Sequence, residues 1–171
     1  MVDATIIELI TAIFTVLTVI SATIAAFLSY HSIRKNIDSI KSQVLLQCLR
    51  EYINIRKDRT DARLKKSEEL CSNYYSELFD LHWTEFRLWR LNYIEDAIMA
   101  TWLKSRNRNY LNDFLIAENE KGETVEIHYK DMWNNVLIED YFEIDDPFVK
   151  FMKLAYENKI QEALKMKQEA D

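Results

Sequence analysis

The chain has a single glycine, Gly122, and a single proline, Pro147, among its 171 residues. Tight turns, hairpins and phosphate-cradling loops lean on those two residue types. Their scarcity therefore predicts long helices joined by short connections. A Walker-type or dinucleotide-binding loop is excluded, because backbone approach to phosphate needs several glycines. Cysteine is scarce too: Cys48 and Cys71 stand alone, each within an apolar helical stripe. No zinc knuckle or disulfide framework can be assembled from that pair, and the expectation is two buried, reduced thiols. Positive charge is missing from the start of the chain, where no Lys or Arg precedes Arg34.

What is present is unevenly distributed. From His31 to Lys66 there are ten Lys/Arg against four Asp/Glu, and from Ser67 to Asp171 twelve against twenty-two. A basic collar ahead of an acidic body suits a membrane-proximal stem carrying a solvated domain. A general nucleic-acid binder would show a basic face across the domain, so no direct nucleic-acid partner is expected.

Residues Ile6 to Leu28 form an apolar run with one charge, Glu8, and no helix breaker. Twenty-three residues rising 1.5 Å each cover roughly 35 Å, enough to cross the hydrocarbon layer with some tilt. A cleavable signal peptide would need positive charge before a shorter apolar run, and here Asp3 and Glu8 occupy that place. The expectation is a permanent single span. Arg34, Lys35 and Lys41 follow it closely, so the positive-inside rule keeps the C-terminal side in the cytoplasm and the N-terminus outside. Tyr30 and His31 fall where amphipathic rings favour the headgroup layer.

The span is two-faced. Glu8, Thr11, Thr15, Thr18, Ala22, Ala25 and Ser29 follow one another at alternating steps of three and four, which places them on one helix face. Ile6, Ile10, Ile13, Leu17, Ile20, Ile24 and Leu28 occupy the opposite face, as lipid tails require. A lone anchor has no reason to segregate its residues in this way. Two explanations compete. In the first, the stripe is a packing seam, its threonines bonded to their own backbone carbonyls. In the second, a ring of helices turns the stripe toward a wet lumen, where Glu8 finds the water or partner that an intramembrane carboxylate needs. Ser32, Asn36, Ser39 and Gln43 continue the polar face below the bilayer. Ile33, Ile37, Ile40 and Val44 form an apolar stem repeat beside it, available to a homo-oligomer.

The organisation predicted is a transmembrane helix over residues 1–31, a basic juxtamembrane helical stem over 32–57 and a cytoplasmic helical domain over 58–171. The stem helix is expected to end near Lys57, at the charged stretch Arg56 to Asp61, with Thr60 or Asp61 capping a second helix over Ala62 to Leu91. Its later half, Leu78 to Leu91, is apolar on most faces and is the expected centre of the core, with Phe79, Trp83, Phe86 and Trp89 in it. A third helix is expected over Ile94 to Lys104, with Ile98 and Trp102 inward, followed by a polar connection at Ser105 to Asn109. Phe114 to Tyr129 is open between readings, and alternation at Val125, Ile127 and Tyr129 after a turn at Asn119 to Gly122 suits a short hairpin. Lys130 to Phe142 returns to helical spacing. Asp145 or Asp146 then caps a last helix through Phe148, Phe151, Leu154 and Ile160, with Pro147 in its first turn. The fold class is thus all-α, with one short β-hairpin near 114–129.

Catalytic chemistry is hard to place. His31 is at the membrane edge, His82 in the core helix and His128 in the hairpin segment. His82 and Glu85 share a helix face as metal ligands can, but a carboxylate-bridged site needs further helices to contribute, and a satisfied core histidine fits better. Glu139, Asp140, Asp145 and Asp146 sit near a loop and helix ends, where solvation and capping explain them. No serine, cysteine or lysine stands beside a candidate base in a nucleophile motif. No catalytic residue, metal or cofactor is assigned.

An N-terminal span, a basic collar and a helical domain carrying the aromatic run LFDLHWTEFRLWRL (78–91) together resemble the small membrane accessory proteins of type VI-B CRISPR systems. The resemblance is one of layout over the whole chain. It implies a divergent HEPN-like helical domain and a ring-shaped pore in the bacterial inner membrane that assists an RNA-guided RNase against phage. Its partners would be further copies of itself, membrane lipids and that RNase. Active HEPN ribonucleases place a histidine after an arginine and four to six intervening residues. None of His31, His82 or His128 has an arginine at that spacing, Arg63 being the nearest upstream of His82. The resemblance therefore implies a non-enzymatic effector. A membrane-tethered helical adaptor that recruits a cytoplasmic partner is the main alternative, and a HEPN-related ribonuclease using other residues the lesser one.

Overall fold

The computed structural model describes residues 4–137 and 146–167, with side chains over 11–134 and 146–167. Helix α1 runs Ala4–Lys65, α2 Glu68–Arg90 and α3 Asp96–Asn112. Strands β1 (Phe114–Glu118) and β2 (Thr124–His128) pair antiparallel, Phe114 opposite His128 and Glu118 opposite Thr124. A short α4 (Tyr129–Asp131) passes into π-helical turns over Met132–Leu137, and α5 (Pro147–Tyr156) and α6 (Ile160–Lys165) follow. The fold is all-α with one short hairpin, as the periodicity predicts. The chain divides into two units, Met1–Ser42 and Gln43–Asp171.

In the first unit every residue from Thr11 to Ile40 is exposed. The helix is long and apolar enough to cross a membrane, and none of that apolar window is buried. Covering an Ile, Leu or Phe side chain gains roughly 1.5–3 kcal/mol. Residues such as Phe14, Leu17, Ile24 and Phe27, all more than half exposed, therefore call for a cover. This stretch is a candidate membrane span.

The second unit is organised around α2. Tyr75, Leu78, Phe79, Phe86 and Trp89 are all buried on it. At its N-terminal half Phe79 meets Tyr129 and Trp133 at ring-centroid distances of 4.9 and 5.2 Å. At its C-terminal half Phe86 and Trp89 both pack on Phe151 of α5, at 4.7 and 5.2 Å. Edge-to-face and tilted pairs of this kind add directional preference to the area they bury. α1 joins this core through Cys48, Ile55 and Ala62, buried at steps of seven. Trp83, expected inside, is 36% exposed and lies under the Arg87 guanidinium at 4.7 Å. On α3 it is Met99 and Leu103 that are fully buried, while Ile98 and Trp102 are half-buried.

Two helix ends differ from the expectation. α1 continues to Lys65 instead of stopping near Lys57, because Thr60 is not a cap: its hydroxyl donates to the Arg56 carbonyl at 3.1 Å inside the helix. Arg59 also pairs with Asp113, giving the charged turn a partner rather than a break. The stop comes at Lys66, in the left-handed region at φ +47°, followed by Ser67, whose side chain accepts from Leu70 N–H and caps α2. α3 likewise continues through Ser105 to Asn109, the segment expected to be a connection. Arg106 in that segment is buried against Glu85 of α2, so the polar run has a tertiary reason to stay helical.

The short connections do without glycine where they can. Asn92 and Asn158 take the left-handed conformation, φ +62° and +60°. After each, the next amide donates five residues back: Tyr93 N–H to the Leu88 carbonyl and Lys159 N–H to the Leu154 carbonyl. Each asparagine amide donates three residues back, to Trp89 and Ala155, completing the Schellman pattern. The last expected helix is split at Asn158 into α5 and α6 for this reason. Gly122 (φ +75°) closes the hairpin turn that Asn119 organises by accepting from Lys121 and Glu123 N–H. Asp146 accepts from Phe148 N–H at 2.6 Å and caps α5 above Pro147, as expected. Asn158→Gly should match or slightly exceed the parent in urea-unfolding stability, whereas Asn158→Ala should lose about 1 kcal/mol, the penalty for an L side chain without a local polar group at positive φ.

Candidate functional site

Each unit presents one feature that chemistry can use. In the first, Thr11, Thr15, Thr18, Ala22, Ala25, Ser29, Ser32, Asn36 and Ser39 all lie exposed on α1, on the line their spacing dictates. The stem residues Ile33, Ile37 and Ile40 are exposed as well. Gln43 and Val44 open the second unit, exposed and half-buried respectively. The side chain of Glu8 lies outside the described residues. The hydroxyls of Thr15 and Thr18 donate to the Thr11 and Phe14 carbonyls at 2.8 Å. Ser21 and Thr23, off the stripe, do the same with Leu17 and Val19. Back-bonding uses the hydroxyl donor within the helix and leaves the oxygen free to accept from water or a neighbouring chain.

In the second unit a cavity of about 470 Å³ is lined by Cys48, Leu49 and Tyr52 of α1, His82 and Glu85 of α2, and Thr101, Trp102, Lys104, Ser105, Arg106, Arg108 and Asn109 of α3. Helical spacing builds it. Cys48 and Tyr52 are one turn apart on α1, His82 and Glu85 one turn apart on α2, and Thr101, Ser105 and Asn109 descend α3 in steps of four. Behind the wall, Arg106 Nη2 bonds Glu85 Oε2, both side chains buried. The same carboxylate oxygen lies 3.4 Å from His82 Nδ1. Two sulfurs, of Met99 and Met152, lie 3.9 and 3.8 Å from Arg106 Nη1.

The electrostatics follow from burial. Loss of water pushes the Glu85 carboxyl up, but the Arg106 guanidinium and the His82 ring override it and hold it below the usual carboxylate range. Desolvation, then the Arg106 charge, push the His82 ring down to about 4. The ring is neutral at pH 7, and with a carboxylate facing Nδ1 its proton belongs there, leaving Nε2 as a lone-pair acceptor. Nε2 is buried and, among the described residues, has no hydrogen-bond partner. His82 is therefore a core histidine, as its position suggests, but satisfied on one side only. Burial pushes the Cys48 thiol up to about 11, with Glu85 and Glu51 adding to it, so it is an inert thiol rather than a nucleophile. Cys71 is buried and free as well.

Elsewhere His128 lies 3.2 Å from Glu126 on β2. Glu139, Asp140 and Asp145 lie outside the described residues, and Asp146 serves as the α5 cap. Among the described residues no three His, Cys, Asp or Glu side chains gather as metal ligands would. No family model, curated protein or solved structure matches the chain.

The cavity is the part of the site that periodicity alone did not reveal. Its signal was present: Lys104 and Arg108, like Ser105 and Asn109, are four apart, a helical interval inside a segment that composition marks as a loop.

The buried pair can be tested by a double-mutant cycle. Arg106→Met should cost about 3–5 kcal/mol by leaving a buried carboxylate unpaired, whereas Glu85→Met with Arg106→Met should recover much of the loss. The pH dependence has a definite sign. The folded His82 resists protonation, so the unfolded chain takes up that proton first as pH falls below about 6.5. Stability should therefore decline by about 3 kcal/mol from this group between pH 6.5 and 4. Urea melts of a His82→Phe variant should show a flatter profile over that window.

Proposed function

We propose that the chain is a homo-oligomeric membrane pore, single-pass in the bacterial inner membrane, with its N-terminus outside and its helical domain in the cytoplasm. The observation that carries this reading is the polar stripe, a line of small and hydroxylated residues exposed on an uninterrupted helix whose opposite face is apolar. Small residues let helices approach closely, and oxygens with free lone pairs can face either water or a partner. Glu8 would form a charged ring at the outer mouth, where carboxylates favour cations. Ile33, Ile37 and Ile40, exposed below the span, would add ordinary hydrophobic burial between copies at roughly 25 cal/mol per Å². The basic collar and the lack of Lys or Arg ahead of it support the orientation. On this reading the helical domain has no catalytic role. A role beside an RNA-guided RNase in antiphage defence rests on the resemblance in layout alone.

One observation favours a second reading. The hydroxyls of Thr15 and Thr18 are already bonded within their own helix, so the stripe is also content as a dry packing seam in a membrane-tethered adaptor. The two readings part on conduction. Replacing Thr15 and Thr18 together by leucine makes the middle of a lumen apolar and narrower, which favours its dewetting. The double variant should insert and oligomerise like the parent yet fail to dissipate a potential across proteoliposomes, while Glu8→Gln should conduct with altered cation preference. Equal depolarisation by the leucine variant would make the stripe a seam and remove the pore reading. Topology reporters fused after Asp171 should report a cytoplasmic position; a periplasmic signal would reverse the orientation.

A further inference from the structure

The body of the chain after Lys66 is acidic, yet three of its twelve Lys/Arg, Lys104, Arg106 and Arg108, fall within five residues of α3 and line one cavity. Their partners are unequal. Arg106 is buried and neutralised by Glu85, the only carboxylate in the lining. Lys104 and Arg108 are exposed, and among the described residues neither has a carboxylate partner. A recess beside β1 is basic too, but there Arg59 and Lys66 are paired with Asp113 and Glu118, and the charge of Arg63 also acts on Asp113. The rim of the α3 cavity therefore carries two positive charges that, among the described residues, meet no carboxylate.

The rest of the lining has a different character. Tyr52 of α1 and Trp102 of α3 bring aromatic rings to the lining, and Leu49 adds an apolar surface. Ser105 and Asn109 supply hydroxyl and amide groups on the intervening line. His82 Nε2, buried and unpartnered, adds an acceptor at the α2 wall. Anion, flat ring and edge-on hydrogen bonding are thus all provided for within about 470 Å³, inside the roughly 300–1,000 Å³ range of small-molecule sites.

We propose that this cavity binds a mononucleotide, its phosphate on Lys104 and Arg108 and its base against Trp102 and Tyr52. A bare inorganic anion would leave the aromatic wall unused. An aliphatic anion would offer no polar partner to Ser105, Asn109 or His82, a loss that weighs most at the buried Nε2 of His82. A base stacks on aromatic faces whatever its identity, and guanidinium and ammonium groups match phosphate. Arg106 acts here as a positioning residue: held by Glu85, it fixes the turn of α3 from which its neighbours Lys104 and Arg108 reach the rim.

The test uses the full chain in detergent micelles and isothermal titration with AMP, GMP, CMP and UMP, against inorganic phosphate, adenosine and a short single-stranded oligoribonucleotide. At least one mononucleotide should bind, more tightly than phosphate or the nucleoside, and more weakly as salt rises. Replacing Lys104 and Arg108 together by alanine should weaken that binding at least about tenfold, the loss of charge-assisted contacts, with the melting temperature of the unliganded chain unchanged. Trp102→Leu should weaken it as well without restoring selectivity for phosphate. No binding by any of the four, or equal binding of phosphate or adenosine, overturns the proposal. Much tighter binding of the oligonucleotide also overturns it, making the rim an RNA-binding surface. None of these readouts depends on ion conduction, so the outcome is separate from that of the pore experiment.

Discussion

A carboxylate and a guanidinium removed from water must meet each other, because either one alone in the interior costs several kcal/mol. Glu85 and Arg106 meet in this way between α2 and α3, with both side chains almost wholly buried. Their contact sets the rotation of both helices. On α2 it fixes which side carries His82, and on α3 it keeps a strongly polar segment helical and turns Lys104 and Arg108 outward. The aromatic packing of Phe79, Phe86 and Trp89 buries apolar surface of α2 beside the pair, and the ion pair adds a contact between two particular groups. The cavity and its positive rim lie beside that contact, and the Arg106 charge adds to the burial that holds the His82 ring down.

The first unit obeys another constraint. Inside a bilayer no water is available to complete hydrogen bonds, so backbone groups must be paired along the helix and hydroxyls must find a local acceptor. An α-helix extending through Ala4–Lys65, with Thr15, Thr18, Ser21 and Thr23 each bonded one turn back, meets that requirement by itself. Back-bonding of this kind makes the polar stripe inexpensive to hold in lipid and equally serviceable against water. The conformation of one helix therefore does not distinguish a stripe that would face a lumen from one that would face a seam.

Much of the second unit was legible because its signals are local. Asp146 ahead of Pro147 marks a helix start by hydrogen bonding within three residues. The alternation of Val125 and Ile127 behind an Asn-to-Gly turn marks a strand by a period of two. The helix ends were less legible for a physical reason. Thr60 has the chemistry of a cap, but hydroxyls also bond back inside helices, and only the Arg59–Asp113 contact from a distant part of the chain shows which use prevails. Asn158 breaks the final helix by adopting positive φ, an option open to asparagine but not announced by it.

By itself, the order of residues determined the apolar run, its polar stripe, the basic collar and the all-helical class, and it made a hairpin one suitable reading of 114–129. Each of these follows from periodicity, charge or turn chemistry acting over a few residues. Tertiary structure alone decided that buried His82 would keep one nitrogen without a partner among the described residues, that Ser105 to Asn109 would be helix, and that α1, α2 and α3 would line one cavity. Those outcomes rest on Glu85 and Arg106, twenty-one residues apart, finding one another. Such an encounter is set by how whole helices pack and leaves no mark on the spacing of residues within either one.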